Sequence, residues 1–174
     1  QVQVKRNNKV YLQKYERGNP LEDVKEVGKS QKSGTRISFK PDAEIFEVTD
    51  YNFDTISGRL RELSFLNRGI RIKLYDERTE KEAEYYSEGG IKNFVEYLNK
   101  AKSKLHSYVI YFSAESKGIV LEVAMQWNDG YKESIFTFAN NINTLEGGTH
   151  LAGLKTALTK CINKYVEKSG LNKD

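Results

Sequence analysis

Five apolar side chains at every second position, Ile119, Leu121, Val123, Met125 and Trp127, demand a half-buried β-strand. Period two places them on one face of a sheet, and that face needs a cover. The chain supplies covers at helical period. Ile56, Leu60, Leu63 and Leu66 predict a helix over 53–67, with Gly69 as a C-terminal stop and Arg59, Arg61 and Glu62 largely on other faces. Ile91, Phe94, Val95 and Leu98 form a second stripe. Leu151, Leu154, Leu158, Cys161, Ile162 and Tyr165 form the third and clearest. An α+β architecture of helices packed on sheets follows.

Alternation and turn chemistry place the remaining elements. Val2 and Val4, the Asn7-Asn8 turn, then Val10 and Leu12 read as a β-hairpin. Arg17-Gly18-Asn19-Pro20 is turn chemistry, and the polar stretch 21–34 reads as an exposed loop. Ile37 and Phe39 predict a strand that stops at Pro41. Ile70, Ile72 and Leu74 predict another, returning through Lys81–Tyr86. Glu88-Gly89-Gly90 then interrupts the pattern and is the best internal boundary. Tyr108–Phe112, 119–127 and 131–139 read as a three-stranded meander, turned at Asn128-Asp129-Gly130.

The 174 residues suit one average domain or parts of two small ones. A formal charge of +4 permits a phosphate-facing patch without demanding one. The single Cys161 excludes an internal disulfide, is expected in the core of the last helix, and fits a reducing cytoplasm. No apolar run approaches the roughly 18 residues of a membrane-spanning helix. The chain opens in mid-strand at Gln1 and its only methionine is Met125; it therefore reads as an internal piece of a longer polypeptide, with processing or tag removal the alternative account of the missing initiator Met.

Catalytic motifs are sparse. His106 and His150 lack metal-ligand spacing, and Glu77, Glu80, Glu82 and Glu84 sit in charged, surface-like runs. Neither a phosphate-binding G-x-x-x-x-G-K-[ST] loop nor H-E-x-x-H nor G-x-S-x-G occurs. Three asparagines in Asn140-Asn141-Ile142-Asn143 suit a sharp loop. In Glu146-Gly147-Gly148-Thr149-His150, Thr149 suits an N-cap, and a helix N-terminus there suits a phosphate. The last helix carries Lys155, Lys160 and Lys164, a stripe fit either for solvation or for a phosphate backbone.

Four segments in order resemble the ATPase region of the type IIA DNA topoisomerases: Ser33–Asp42 (S-G-T-R-I-S-F-K-P-D), Arg59–Asn67 (R-L-R-E-L-S-F-L-N), Tyr86–Ile91 (Y-S-E-G-G-I) and Asn140–Leu151. The second and fourth favour the gyrase B branch over its sister, the topoisomerase IV B subunit. The resemblance implies that residues 1–90 are the closing half of a GHKL-type ATP-binding sandwich. Residues 91–174 would open a transducer domain with a left-handed βαβ crossover, against the usual right-handed rule. Gly34 and Thr35 match the pair that helps hold adenine, and Ile37 matches an apolar pocket position. Arg6 matches a pocket-rim arginine that contacts aminocoumarin inhibitors. Lys155 falls where the family has a basic residue facing the DNA cavity, although lysine lacks the bidentate phosphate geometry of arginine.

By the same resemblance, the intact protein binds ATP and Mg, dimerises on ATP binding, and works with DNA and the gyrase A subunit in the cytoplasm. The family's general-base glutamate, magnesium-binding asparagine, adenine-binding aspartate and phosphate lid would precede Gln1. The transducer lysine that contacts the terminal phosphate would follow Asp174. The chain alone is then expected to bind no nucleotide tightly and to hydrolyse none. An uncovered sheet face is expected to favour instability or association. A non-enzymatic basic DNA-binding module is the competing reading, resting on the last helix alone.

Overall fold

The computed structural model describes residues 1–171, and the chain divides into two compact units, Gln1–Asn52 and Phe53–Asp174. In the first unit β1 (Val2–Arg6) and β2 (Lys9–Gln13) form the expected hairpin. Its two-residue turn has Asn7 and Asn8 at φ 52° and 61°. Both must be left-handed in a turn that matches strand twist, and asparagine tolerates this better than most residues. Arg17-Gly18 turns a smaller hairpin of β3 (Tyr15–Glu16) and β4 (Asn19–Pro20).

Two departures follow from pairing rather than local pattern. The stretch expected as a loop contains β5 (Lys25–Lys29), which pairs with β2 across a register shift at Val10/Tyr11. Its sequence, Lys-Glu-Val-Gly-Lys, is exposed throughout and carries no apolar alternation. The ladder and a Lys9–Glu26 ion pair at 2.7 Å hold it, and its charges blunt a sheet edge. The strand β6 (Gly34–Ile37) ends earlier than expected, pairing with β1 on the opposite edge. The sheet order is β5-β2-β1-β6, antiparallel throughout. Val10 is this unit's buried hydrophobic among the described residues, whereas Ile37 and Phe39 are 67% and 75% exposed.

The second unit starts with α1 (Phe53–Leu66), within one residue of the expected span. The hairpin β7 (Ile72–Asp76) and β8 (Lys81–Tyr85) follows. Asp76 closes its loop by accepting from the backbone N–H and the guanidinium of Arg78 at 2.9–3.0 Å. The helix α1 turns Ser57 and Ser64 inward, leaving the leucine stripe only half-buried. Arg61, expected on an outer face, instead lies between the rings of Tyr85 and Tyr97, 5.2 and 5.3 Å from their centroids. It donates to the Tyr97 hydroxyl at 2.7 Å. A guanidinium between two aromatic faces is held by cation–π attraction while its charge still reaches solvent.

The Gly89-Gly90 break launches α2 (Ile91–Leu98). Gly90 has φ 61°, and a β-carbon there would come within 2.5 Å of the Arg68 side chain. Ser87 Oγ accepts the Gly90 N–H at 3.0 Å and donates to Asn93 at 3.1 Å, fixing the helix entry. Phe94 is buried and stacks on Phe65 at 5.3 Å, with Tyr97, Phe136 and Phe138 around them. The strands β9 (Ile110–Ser116) and β10 (Ile119–Met125) pair through a left-handed Lys117-Gly118 turn, and Val123 is buried.

The expected third strand of the meander is not formed. Residues 131–137 are irregular, and only β11 (Phe138–Ala139) pairs, with β12 (Ile142–Asn143). Phe136 is drawn into the aromatic cluster instead of a ladder. Every strand pair among the described residues is antiparallel, so no βαβ unit of either hand closes within them. The helix α3 (Thr149–Ser169) ends on a left-handed Gly170, with Leu171 N–H returning to the Val166 carbonyl. Leu151, Leu154 and Leu158 are half-buried, but Ile162, Tyr165 and Cys161 are exposed. Cys161 is thus not core: α3 buries none of its described residues fully, and its apolar stripe is exposed from Cys161 on through Ile162 and Tyr165.

Candidate functional site

The residues matched to the adenine pocket lie on β1 and the adjacent edge strand β6 of the four-stranded sheet. Cross-strand partners in an antiparallel pair share a face, and so do residues two apart on a strand. Val4 pairs with Thr35 and Val2 with Ile37. Arg6, two residues beyond Val4, therefore shares that face with Thr35 and Ile37, while Gly34 pairs with Lys5 on the other register. Thr35 and Ile37 are exposed on the edge strand. Arg6 is exposed beside the Asn7-Asn8 turn, and no hydrogen bond or ion pair engages its guanidinium among the described residues. One face thus offers a hydroxyl, a branched apolar group and a free cation, the chemistry of a polar, flat ligand's pocket wall.

Lys155 lies in the second unit, on the exposed side of α3. Its ammonium pairs with Glu133 at 2.7 Å, both side chains being more than half exposed. Sequence reading missed this partner, because Glu133 sits in the segment expected as a strand. An exposed pair of this kind is weak and leaves the cation available to exchange toward a stronger anion.

Other candidates prove architectural. Thr149 is the first residue of α3 rather than its cap; Gly148 holds the cap position without a side-chain bond. His150 Nε2 lies 3.3 Å from Thr144 Oγ1. His106 Nδ1 donates to the Tyr108 carbonyl at 2.7 Å, and its Nε2 accepts the Trp127 N–H at 3.1 Å. That histidine ties the residues flanking the β9–β10 hairpin to a polar network in which Asn99 joins Gln126 and Asn128 at 3.0 and 2.8 Å. Glu84 is engaged by Arg71 and by Lys73, the latter at 3.2 Å, which lowers its carboxyl below the usual range. No group of three or more His, Cys, Asp or Glu able to hold a metal occurs among the described residues. None of the described helices is long and apolar enough to cross a membrane.

Two of the four resembling segments meet in the second unit, and Arg68, the residue after the first of them, reaches a third at Gly90. Asn67, which closes the Arg59–Asn67 segment, accepts from Asn141 Nδ2 at 2.8 Å. Arg59 donates to the Asn141 carbonyl at 3.2 Å. Arg68 reaches Glu122 at 3.0 Å and, with Lys92, faces the ring of Tyr111, while its side chain fills the space over Gly90. Their spacing was visible in the sequence; their mutual contact was not.

Comparison with known proteins agrees with this arrangement. A family model described as DNA gyrase B matches residues 90–174. The DNA gyrase B protein of Myxococcus xanthus is 56% identical over 99% of the chain, and that of Clostridium acetobutylicum is 50% identical over all of it. The chain spans only 21% and 28% of those two relatives. The 43K ATPase domain of Thermus thermophilus gyrase B, solved in complex with an aminocoumarin, superposes with a TM-score of 0.83 at 34% identity, over 99% of this chain and 48% of that one. The fold is that of the gyrase B ATPase region, the expected GHKL and transducer elements in part, and the chain belongs to the DNA gyrase B family.

Proposed function

We propose that the chain is a working part of an ATP-hydrolysing type II DNA topoisomerase, a gyrase B protein that couples ATP binding and hydrolysis to strand passage and negative supercoiling. Residues 1–90 would close the ATP-binding domain and residues 91–174 open the transducer, a division supported by a family match that starts at residue 90. It differs from the compact division at Asn52/Phe53. Thr35 and Gly34 would help hold adenine, Ile37 would line the pocket, and Arg6 would meet ligands at its rim. The observation that carries this reading is the register placing Arg6, Thr35 and Ile37 on one open sheet face. It is supported by the likeness to a gyrase B ATPase domain that binds an aminocoumarin.

Lys155 would face the DNA cavity, as a point charge on phosphate rather than a bidentate clamp. In the intact protein the nucleotide would be ATP with Mg. The partners would be DNA, the gyrase A subunit and a second copy of the intact gyrase B protein, in the cytoplasm. The isolated chain would turn over no ATP, because a positioned base and a γ-phosphate clamp act together and its own residues form only one pocket wall.

The test is ATP-dependent supercoiling by the intact protein with its gyrase A partner, with and without an aminocoumarin. Inhibitor-sensitive supercoiling is expected, and Thr35→Ala and Arg6→Ala should weaken inhibition by different routes. Decatenation without supercoiling would move the assignment to topoisomerase IV. ATP turnover by the isolated chain, insensitive to the inhibitor, would refute the pocket assignment.

A further inference from the structure

We propose that the Asn140-Asn141 turn, gripped by the end of α1, is a positioning joint that sets the start of α3 and so couples the nucleotide-binding part to the Lys155 helix. This rests on the reading of Lys155 as facing DNA. Asn140 and Asn141 occupy left-handed φ of 48° and 66°, so the hairpin tip has a single well-defined backbone shape. The turn is held from α1 at two independent points. Asn67 Nδ2 caps the Leu63 carbonyl at 2.8 Å, which fixes its amide and leaves Oδ1 to accept from Asn141 Nδ2, also at 2.8 Å. Arg59 reaches the Asn141 carbonyl from about two helical turns earlier in α1.

The hairpin passes this register onward. Thr137 and Thr144 lock its base through their hydroxyls at 2.6 Å and through Thr144 N–H to the Thr137 carbonyl at 2.8 Å. Thr144 then touches His150 Nε2 at 3.3 Å and accepts the Gly147 N–H at 2.8 Å. Gly147-Gly148 enters α3 directly, and Lys155 stands less than two turns further on. These bonds are directional and partly exposed. They contribute little to global stability but fix one orientation of α3 against α1, which a continuous apolar contact would leave free to slide.

Asn141→Gly deletes the side-chain amide while keeping the left-handed backbone accessible. Arg59→Gln removes the long donor to the carbonyl. Both are to be placed in the intact protein assembled with its gyrase A partner, and ATP hydrolysis measured with and without linear DNA. The DNA-stimulated to basal ratio should fall about fivefold in Asn141→Gly, the equilibrium effect of one neutral hydrogen bond, and at least as far in Arg59→Gln, which removes a charged donor also paired with Glu62, with basal turnover within about twofold of wild type in both. In the same intact protein, amide exchange over Leu151–Leu154 should accelerate while α1 is unchanged. An unchanged ratio overturns the joint. A parallel fall of basal and stimulated rates with a lowered urea midpoint also overturns it, reducing the contact to structure. Absence of DNA stimulation in the wild type would instead refute the proposed function on which the joint rests.

Discussion

Replacing Gly90 by alanine separates two costs that the structure places at one residue. The first is conformational: φ 61° puts an alanine β-carbon in the left-handed region, at roughly 1–2 kcal/mol. The second is steric. The new methyl would stand 2.5 Å from Arg68 Nε and 2.7 Å from its Cγ, so the arginine must swing away. It then loses its bond to Glu122 and its place over the Tyr111 ring. Both contacts are exposed, and together they are worth about 1 kcal/mol. The total is about 2–3 kcal/mol for the second unit. The single Trp127 lies in that unit, so its fluorescence in a urea titration reads the relevant transition. Gly118→Ala is the control: φ is 75° but the space around it is open, so only the conformational cost should appear. In an Arg68→Ala background the Gly90→Ala cost should shrink to that same value. Equal costs for Gly90→Ala in both backgrounds would refute the steric argument. A cost below about 0.5 kcal/mol would refute the backbone argument as well.

The bonds from Arg78 hold the Asp76 carboxyl at about 2, below its ordinary 3.8. Its contribution to the β7–β8 hairpin is therefore complete above about pH 4 and lost as pH falls toward 2; hydrogen exchange of the hairpin should show that acid step, and Asp76→Asn should abolish it. Arg61→Ala removes a guanidinium set between two rings and should lower the urea midpoint by the equivalent of about 1–3 kcal/mol, with Arg61→Lys recovering less than half. Lys155→Ala in the intact protein should lower the salt slope of DNA binding by about one, while Glu133→Gln, which frees the lysine, should tighten binding at low salt only.

Much of the element plan was readable because period and turn chemistry are local. The helix α1 begins and ends within a residue of its expected span, α2 carries its expected apolar stripe, and the Asn7-Asn8 pair marks its hairpin outright. Failures occur where a partner elsewhere in the chain decides. Lys25–Lys29 has no strand pattern of its own, and it is a strand because β2 offers an open edge and Lys9 a countercharge. Residues 131–137 have aromatic and β-branched character, but Phe136 joins Phe94 across the second unit, and the ladder is sacrificed to that cluster.

The candidate site divides along the same line. Arg6, Thr35 and Ile37 share a face because a hairpin and one long-range pairing fix their parity, so a motif match there translates directly into geometry. Lys155 shows the opposite case. Its position on α3 follows from helical period, but its availability to an anion depends on Glu133, which only the irregular path of 131–137 brings within reach. The Arg59–Asn67 segment lies between these cases. Its apolar positions announce a helix, yet the residues that distinguish it, Arg59, Arg61 and Asn67, are spent on contacts with Asn141 and Tyr97 far along the chain. A motif rich in arginine on a helix that buries serines is therefore better understood as one side of a joint than as a solvated face. Its polar residues are fixed by what they grip: Arg59 and Asn67 meet Asn141 in a different resembling segment, and Arg61 meets Tyr85 and Tyr97.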